Sequence, residues 1–165
     1  MFAKLPRQIW LWYGLAFLVV ILDQLSKSWV SAHLIYDEPV VFNSFFNFTL
    51  LHNHGAAFSF LAGRGGWQRW FFAILAIAVS IALIIWIARS AQNNRRETFA
   101  LSFILGGALG NLYDRIQLGH VVDFIVVHYQ EHFWPAFNLA DSAITLGAFI
   151  LLADMLLKTE KKVHA

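Results

Sequence analysis

Asp123, in Gly119-His120-Val121-Val122-Asp123-Phe124, and Asp141, in Phe137-Asn138-Leu139-Ala140-Asp141-Ser142, are the residues of this chain best suited to chemistry. Two carboxylates sharing a site of low dielectric do not both ionise easily, so the proton affinity of one rises while that of the other stays low. That split supplies a general acid and a general base, which together activate water against a peptide carbonyl. Each residue also has an ordinary reading, Asp141 as part of a helix cap and Asp123 as a solvated loop residue. Their spacing along the chain does not by itself bring them together.

Other polar residues cluster in the same stretches. Asn111 and Arg115, in GGALGNLYDRI, are spaced i and i+4, which puts them on one face if the segment is helical. Asp114 falls on another face and reads as a surface or pairing residue. Asp23 and Lys27 share the i and i+4 spacing, and an ion pair that anchors the segment is the simplest account. Asp154 reads as reaching a membrane interface. His128-Tyr129-Gln130-Glu131-His132 matches the H-x-x-E-H pattern of some zinc peptidases, but that pattern needs a helix and a further ligand, and here it lies in a short loop ending at Pro135. No metal is expected. His52 and His54 chelate only from a strand, and an interfacial polar role is the expectation for both. The chain has no cysteine, which removes disulfides, thiolate ligands and cysteine nucleophiles. Ser59 and Ser142 lack the order of His and Asp that marks a hydrolase, and no glycine-rich phosphate loop is present.

Such residues need elements to position them, and the composition points to lipid. Of 165 residues 59% are hydrophobic and 13% charged, with a mean hydropathy of +0.59; soluble domains carry about 25% charged residues. The net charge of +2 is small and the basic residues sit in short clusters beside apolar runs, so nucleic acid is not expected as a partner. A hydrocarbon core about 30 Å thick takes roughly 20 mostly apolar residues of helix. The sequence predicts four spans, near residues 9–29, 70–88, 98–113 and 136–157, the first retained because no small-residue cleavage site follows it. The third is short and carries Gly106, Gly107 and Gly110, as close helix packing requires.

Lys4, Arg7, Arg89, Arg95, Arg96, Lys158, Lys161 and Lys162 fall on one side of this arrangement, and Lys27, Arg64, Arg69 and Arg115 on the other. The positive-inside rule then puts both termini in the cytoplasm. Asp23, Asp37, Glu38, Asp114, Asp123, Glu131 and Asp141 lie towards the outer face. Between spans, residues from about 35 to 66 mix Val, Phe, Thr and Leu with Asn in partial alternation, which predicts strands resting at headgroup depth and covering the site from outside. Phe42, Phe45, Phe46, Phe48, Phe58 and Phe60 suit that interface. The expected class is an integral membrane protein, mainly α, with four transmembrane helices and a small interfacial β-like outer subdomain. Intramembrane carboxylates also fit a small transporter, and a structural membrane subunit is a third possibility.

LDQLSK (22–27), HNHGAAFSFL (52–61), GGALGNLYDRI (106–116), HVVDF (120–124) and FNLADS (137–142) together resemble the bacterial lipoprotein signal peptidase, or signal peptidase II, family. The motifs stand in the family's order and cover most of the chain. The resemblance implies a single membrane-embedded aspartyl peptidase of the inner membrane, without a cofactor. It would remove the signal peptide from diacylglyceryl-modified prolipoproteins just before the lipidated cysteine. By motif position, Asp123 and Asp141 would form the catalytic dyad. Asn53, Gly55, Asn111, Arg115, Asn138 and Ala140 would line or support the substrate pocket, and Asp23 and Lys27 would be structural. The implied partners are prolipoprotein signal peptides and membrane lipids, and nothing in the sequence requires more than a monomer.

Overall fold

The computed structural model describes residues 7–55 and 66–163, so the expectations for Lys4, Phe58, Ser59, Phe60 and Arg64 fall outside the described residues. Among the described residues, four helices and four strands follow in the order α1 (Arg7–His33), β1 (Val40–Asn43), β2 (Phe46–Asn53), α2 (Trp67–Ser90), α3 (Arg95–Gln117), β3 (Val121–Tyr129), β4 (His132–Phe133) and α4 (Leu139–Val163). Three helical stretches, Arg7–His33, Trp67–Ser90 and Leu139–Lys158, are long and apolar enough to cross a membrane. On α2, Ile74, Leu75, Ile77, Ile81, Ile84 and Ile85 are exposed, the outward apolar surface expected of a helix solvated by lipid.

The third helix differs from its sequence expectation in two ways. It runs over 23 residues rather than a short span, and it is not apolar enough to meet the same criterion. The reason is position, since α3 packs against α1, α2 and α4 and leaves little surface to lipid. Consecutive glycines fit it to two neighbours at once. A Cβ on Gly106 would stand 2.6 Å from the Ala16 carbonyl oxygen of α1, and one on Gly107 would collide with the Ala140 backbone of α4. Side chains there would push the helices apart, so glycine permits this close approach.

Asn94 caps α3 by accepting the Glu97 backbone N–H, and Gly119, with φ of +83°, turns the chain from α3 into β3. The strands form one antiparallel sheet in the order β1-β2-β3-β4, with register pairs such as His52 with Val122 and Asn53 with Val121. Asn43 closes the β1–β2 turn by accepting the Phe45 N–H at 2.8 Å. The predicted outer strands are present in β1 and β2. Val121–Tyr129, where the ordinary reading makes Asp123 a loop residue, is strand: the β-branched run around Asp123 pairs with β2 along much of its length. The H-x-x-E-H stretch is a hairpin, with His128 opposite Phe133 and Tyr129 opposite His132, and so lacks the single helical face that the zinc pattern needs.

Hydrophobic packing ties the sheet to the bundle. Val30 of α1 joins Leu50, Val122 and Phe124 in one buried cluster, while Ile9, Ala16, Leu83, Ile87, Leu101 and Leu105 form another among α1, α2 and α3. Val41, Phe42, Phe45, Phe133 and Trp134 remain exposed at the sheet's margins.

Candidate active site

At the junction of the sheet with α1, α3 and α4, polar side chains fill a space that the helices would otherwise close with apolar groups. Lys27 is its central cation, buried and paired with Asp23 at 2.8 Å and with Asp114 at 2.9 Å. Asp23 also accepts the Ala140 backbone N–H at 2.9 Å, which fastens α1 to the start of α4. Asp114 accepts the Val122 N–H at 3.1 Å and so fastens α3 to β3. Gln24 spans the gap, donating to Asp23 at 3.1 Å, to the Gly110 carbonyl at 3.2 Å and to Asp114 at 2.9 Å.

From Lys27 the network runs towards the two candidate carboxylates. Asn111 Oδ1 accepts from Lys27 Nζ at 2.9 Å and from Asn138 Nδ2 at 3.1 Å, and its Nδ2 donates to Asp141 Oδ1 at 2.7 Å. Two donors on one carbonyl oxygen fix which end of the amide faces Asp141. Asn138 then links both carboxylates: its Nδ2 donates to Asp123 Oδ1 at 2.7 Å and its backbone N–H to Asp141 Oδ2 at 3.3 Å. Asn53 of β2 donates to Asp123 Oδ2 at 3.0 Å, and Asn53 Oδ1 accepts the Gly55 N–H at 3.0 Å. Arg115 closes the ring, donating to the Asn111 carbonyl at 3.2 Å and to the Gly55 carbonyl at 3.3 Å while lying over Phe72.

Asn138 is the N-cap of α4, accepting the Asp141 N–H at 2.9 Å while its own N–H bonds the Asp141 side chain. This is a capping box with Asp in the place usually held by Glu or Gln. The ordinary reading of Asp141 and the chemical one are therefore the same set of bonds. Asp123 departs from its ordinary reading, because it is buried on β3 at 2% exposure rather than solvated in a loop.

No Lys or Arg lies within ion-pair distance of Asp123 or Asp141 among the described residues. Burial, and then the charge of Asp141, push the Asp123 carboxyl up to about 7, against the bonds from Asn53 and Asn138 that favour its ionised form. Four carboxylates (Asp23, Asp114, Asp123, Asp141) here share two cations (Lys27, Arg115), and a proton held by the Asp123–Asp141 pair eases that imbalance near neutral pH.

Two cavities meet at this pair. One of about 350 Å³ is lined by Asn53, Asn111, Arg115, Asp141, Ile144 and Thr145, and so extends along α4 past the polar ring. Another of about 510 Å³ lies against Asp123, His52, Tyr36 and Trp134. Asn53, Pro135 and Ala136 border both.

The structure brings Asp23, Lys27, Asn53, Gly55, Asn111, Arg115, Asp123, Asn138 and Asp141 into one network. Ala140 belongs to its packing: fully buried, it lies against Gly107 and Gly110 of α3. Sequence reasoning missed Gln24 and the burial of Asp114. An amide beside Asp23 and one turn from Lys27 was a usable signal for Gln24. Asp154 is buried at the far end of α4, held by Asn94 at 2.9 Å and Lys158 at 2.6 Å.

Comparisons with known proteins agree on one family. The sequence model described as signal peptidase (SPase) II matches residues 15–157. The chain is 64% identical over 158 residues to a lipoprotein signal peptidase of Cellvibrio japonicus, covering 96% of this chain and 93% of that protein. It is 58% identical over 149 residues to one of Teredinibacter turnerae, covering 90% and 89%. A solved structure described as a bacterial membrane enzyme superposes with a TM-score of 0.80 at 36% identity, over 90% of this chain and 88% of the other.

Proposed function

The chain belongs to the signal peptidase II family, and from that premise we propose that it is an aspartic-type endopeptidase of the bacterial inner membrane. It cuts diacylglyceryl-modified prolipoproteins just before the lipidated cysteine, with Asp123 and Asp141 as its catalytic pair. The observation that carries this reading is the double hold of Asn138 on both carboxylates at the meeting of two cavities. With one proton shared between them, one carboxylate takes a proton from a water molecule as it attacks the scissile carbonyl, and the other gives its proton to the carbonyl oxygen. The proton taken from water passes to the leaving nitrogen as the C–N bond breaks, the diol oxygen returns its proton to the other carboxylate as the C=O re-forms, and the pair regains its starting charge. No cofactor or metal takes part.

The remaining residues serve this step by position. Asn111 and Asn138 aim the two carboxylates, Asn53 and Arg115 face the cavity where the substrate backbone would lie, and Asp23 and Lys27 hold α1, α3 and α4 in register. The run of the 350 Å³ cavity along α4 past Asp141 to Ile144 and Thr145 supports sideways access for the signal peptide from the hydrocarbon, with acyl chains left in lipid. In this reading α3 is the fourth crossing helix, shielded by its neighbours. Both termini are cytoplasmic, the pair stands near the outer leaflet, and a monomer suffices. The test is cleavage of a diacylglyceryl-modified substrate by purified protein. Asp123→Asn and Asp141→Asn should each abolish processing, and cleavage at the normal rate by either variant overturns the reading.

A further inference from the structure

Three histidines outside this network meet at the end of the β2–β3 ladder. His52 and His120 stack with ring centroids 4.0 Å apart, and His54 lies 5.2 Å from His120. The register explains the meeting. His52 lies opposite Val122 and Asn53 opposite Val121, so the next step of the ladder brings the chain at His54 alongside His120. Asn53 stands between His52 and His54, and strand alternation sends its side chain to the other face, where it donates to Asp123.

We propose that the stacked imidazoles of His52 and His120, with His54 tilted against them, act as positioning residues that hold Asn53 on Asp123, and that protonation of the stacked pair releases it. The proposal rests on the catalytic role of Asp123 stated above. Imidazoles 4.0 Å apart stack comfortably when neutral and repel when two are charged. Burial first, and the neighbouring imidazoles second, hold His52 and His120 below the ordinary histidine range. Other groups face the stack from each side. Tyr36 lies with its ring 4.8 Å from His52, Asp114 and the Leu118 backbone favour a charged His120, and Arg69 of α2 packs beside the adjoining Gly119. Asp114 is already paired with Lys27, so its pull on His120 is divided.

The sign follows from these shifts. An opened strand end exposes imidazoles with ordinary affinity for protons, so acidification through about pH 6.5 favours opening. Opening at residues 52–55 breaks the Asn53–Asp123 bond and withdraws the Gly55 carbonyl from Arg115. Acid would therefore silence the site from its outer side, apart from any titration of the carboxylate pair.

Hydrogen–deuterium exchange on the full chain in detergent micelles, corrected for intrinsic rates, tests the opening without reference to cleavage. Between about pH 7.5 and pH 5, protection at the end of β2 and the start of β3 should fall by roughly tenfold in the wild type. In His52→Gln/His120→Gln it should stay level. Unchanged wild-type protection overturns the proposal whether or not the variant folds. In parallel, the variant should keep at least about threefold more of its neutral-pH cleavage rate at pH 5 than the wild type does, and superimposable pH profiles also overturn it. Failure of the catalytic reading is visible separately, as cleavage that survives Asp123→Asn.

Discussion

The two ends of the α3–α4 pair carry polar clusters built from the same residue types and arranged to opposite effect. At one end Glu97 accepts from Trp86 at 2.7 Å, Ser90 at 2.6 Å, Asn94 at 2.7 Å and Lys158 at 3.3 Å, while Asp154 bonds Lys158 at 2.6 Å. Every carboxylate there has a share in one cation, and that cation is half exposed. At the other end the buried cation Lys27 is taken up by Asp23 and Asp114, and Asp123 and Asp141 are left with amide and backbone donors. Carboxylates whose charge is matched fasten helices together. Carboxylates held in place but denied a cation keep an unsettled proton, which acid–base chemistry requires.

Substitutions that exchange the character of the two ends should separate them. The largest effect belongs to the unmatched pair: Asp123→Asn or Asp141→Asn should lower cleavage of a lipidated substrate by roughly 10⁴-fold or more, with no further loss in the double variant, because the two act as a unit. Asp154→Asn in the same assay should stay within a few-fold of wild type. Next comes the buried cation. Lys27→Met strands Asp23 and Asp114 without a partner and should cost about 3–5 kcal/mol of stability in thermal or denaturant unfolding, whereas Lys158→Met should leave the midpoint almost unmoved.

A pH series sharpens the contrast further. The Asp123 carboxyl is raised to about 7 in the folded protein, against about 3.9 in an unfolded chain. Between these values the folded state holds a proton that the unfolded state has released, so this group's contribution declines as pH rises from about 4 to about 7 and stays low above. The unfolding free energy of wild type minus that of Asp123→Asn should fall over that window, by an amount on the order of a few kcal/mol. A flat difference would remove the unmatched charge from the account. Smallest of all, Glu97→Gln keeps most of its bonds and should change stability by less than about 1 kcal/mol, with cleavage unaltered.

The contrast also marks what the chain's sequence could reveal. Helices α1, α2 and α4 were legible because lipid demands long apolar runs, and the ends of those runs were marked by Arg and Lys. The third helix was underestimated because, surrounded by others, it carries glycine, Ser and Thr where a lipid-facing helix carries Ile. Asp123 stands on a strand, where its ordinary reading makes it a solvated loop residue. The run Val-Val-Asp-Phe-Ile-Val-Val already signals a strand, but a charge in its middle and a position between spans suggested a loop. That Asp123 and Asp141 share Asn138 was beyond reach, since it depends on the register of β3 against β2 and on where α4 begins.

The Asn138–Asp141 box has one more consequence, for quality control. A protease loose in a membrane is a hazard to every helix around it, most of all while it is half assembled. Here the bonds that start α4 are the bonds that aim Asp141, and Asn138 reaches Asp123 only once β3 is seated. On the proposed role of the pair, a copy with a frayed α4 or an unpaired sheet has no aligned acid and base. Newly inserted or damaged molecules would then be inert without the help of an inhibitor or a removable propeptide, and proteolytic competence would arrive as the last event of folding.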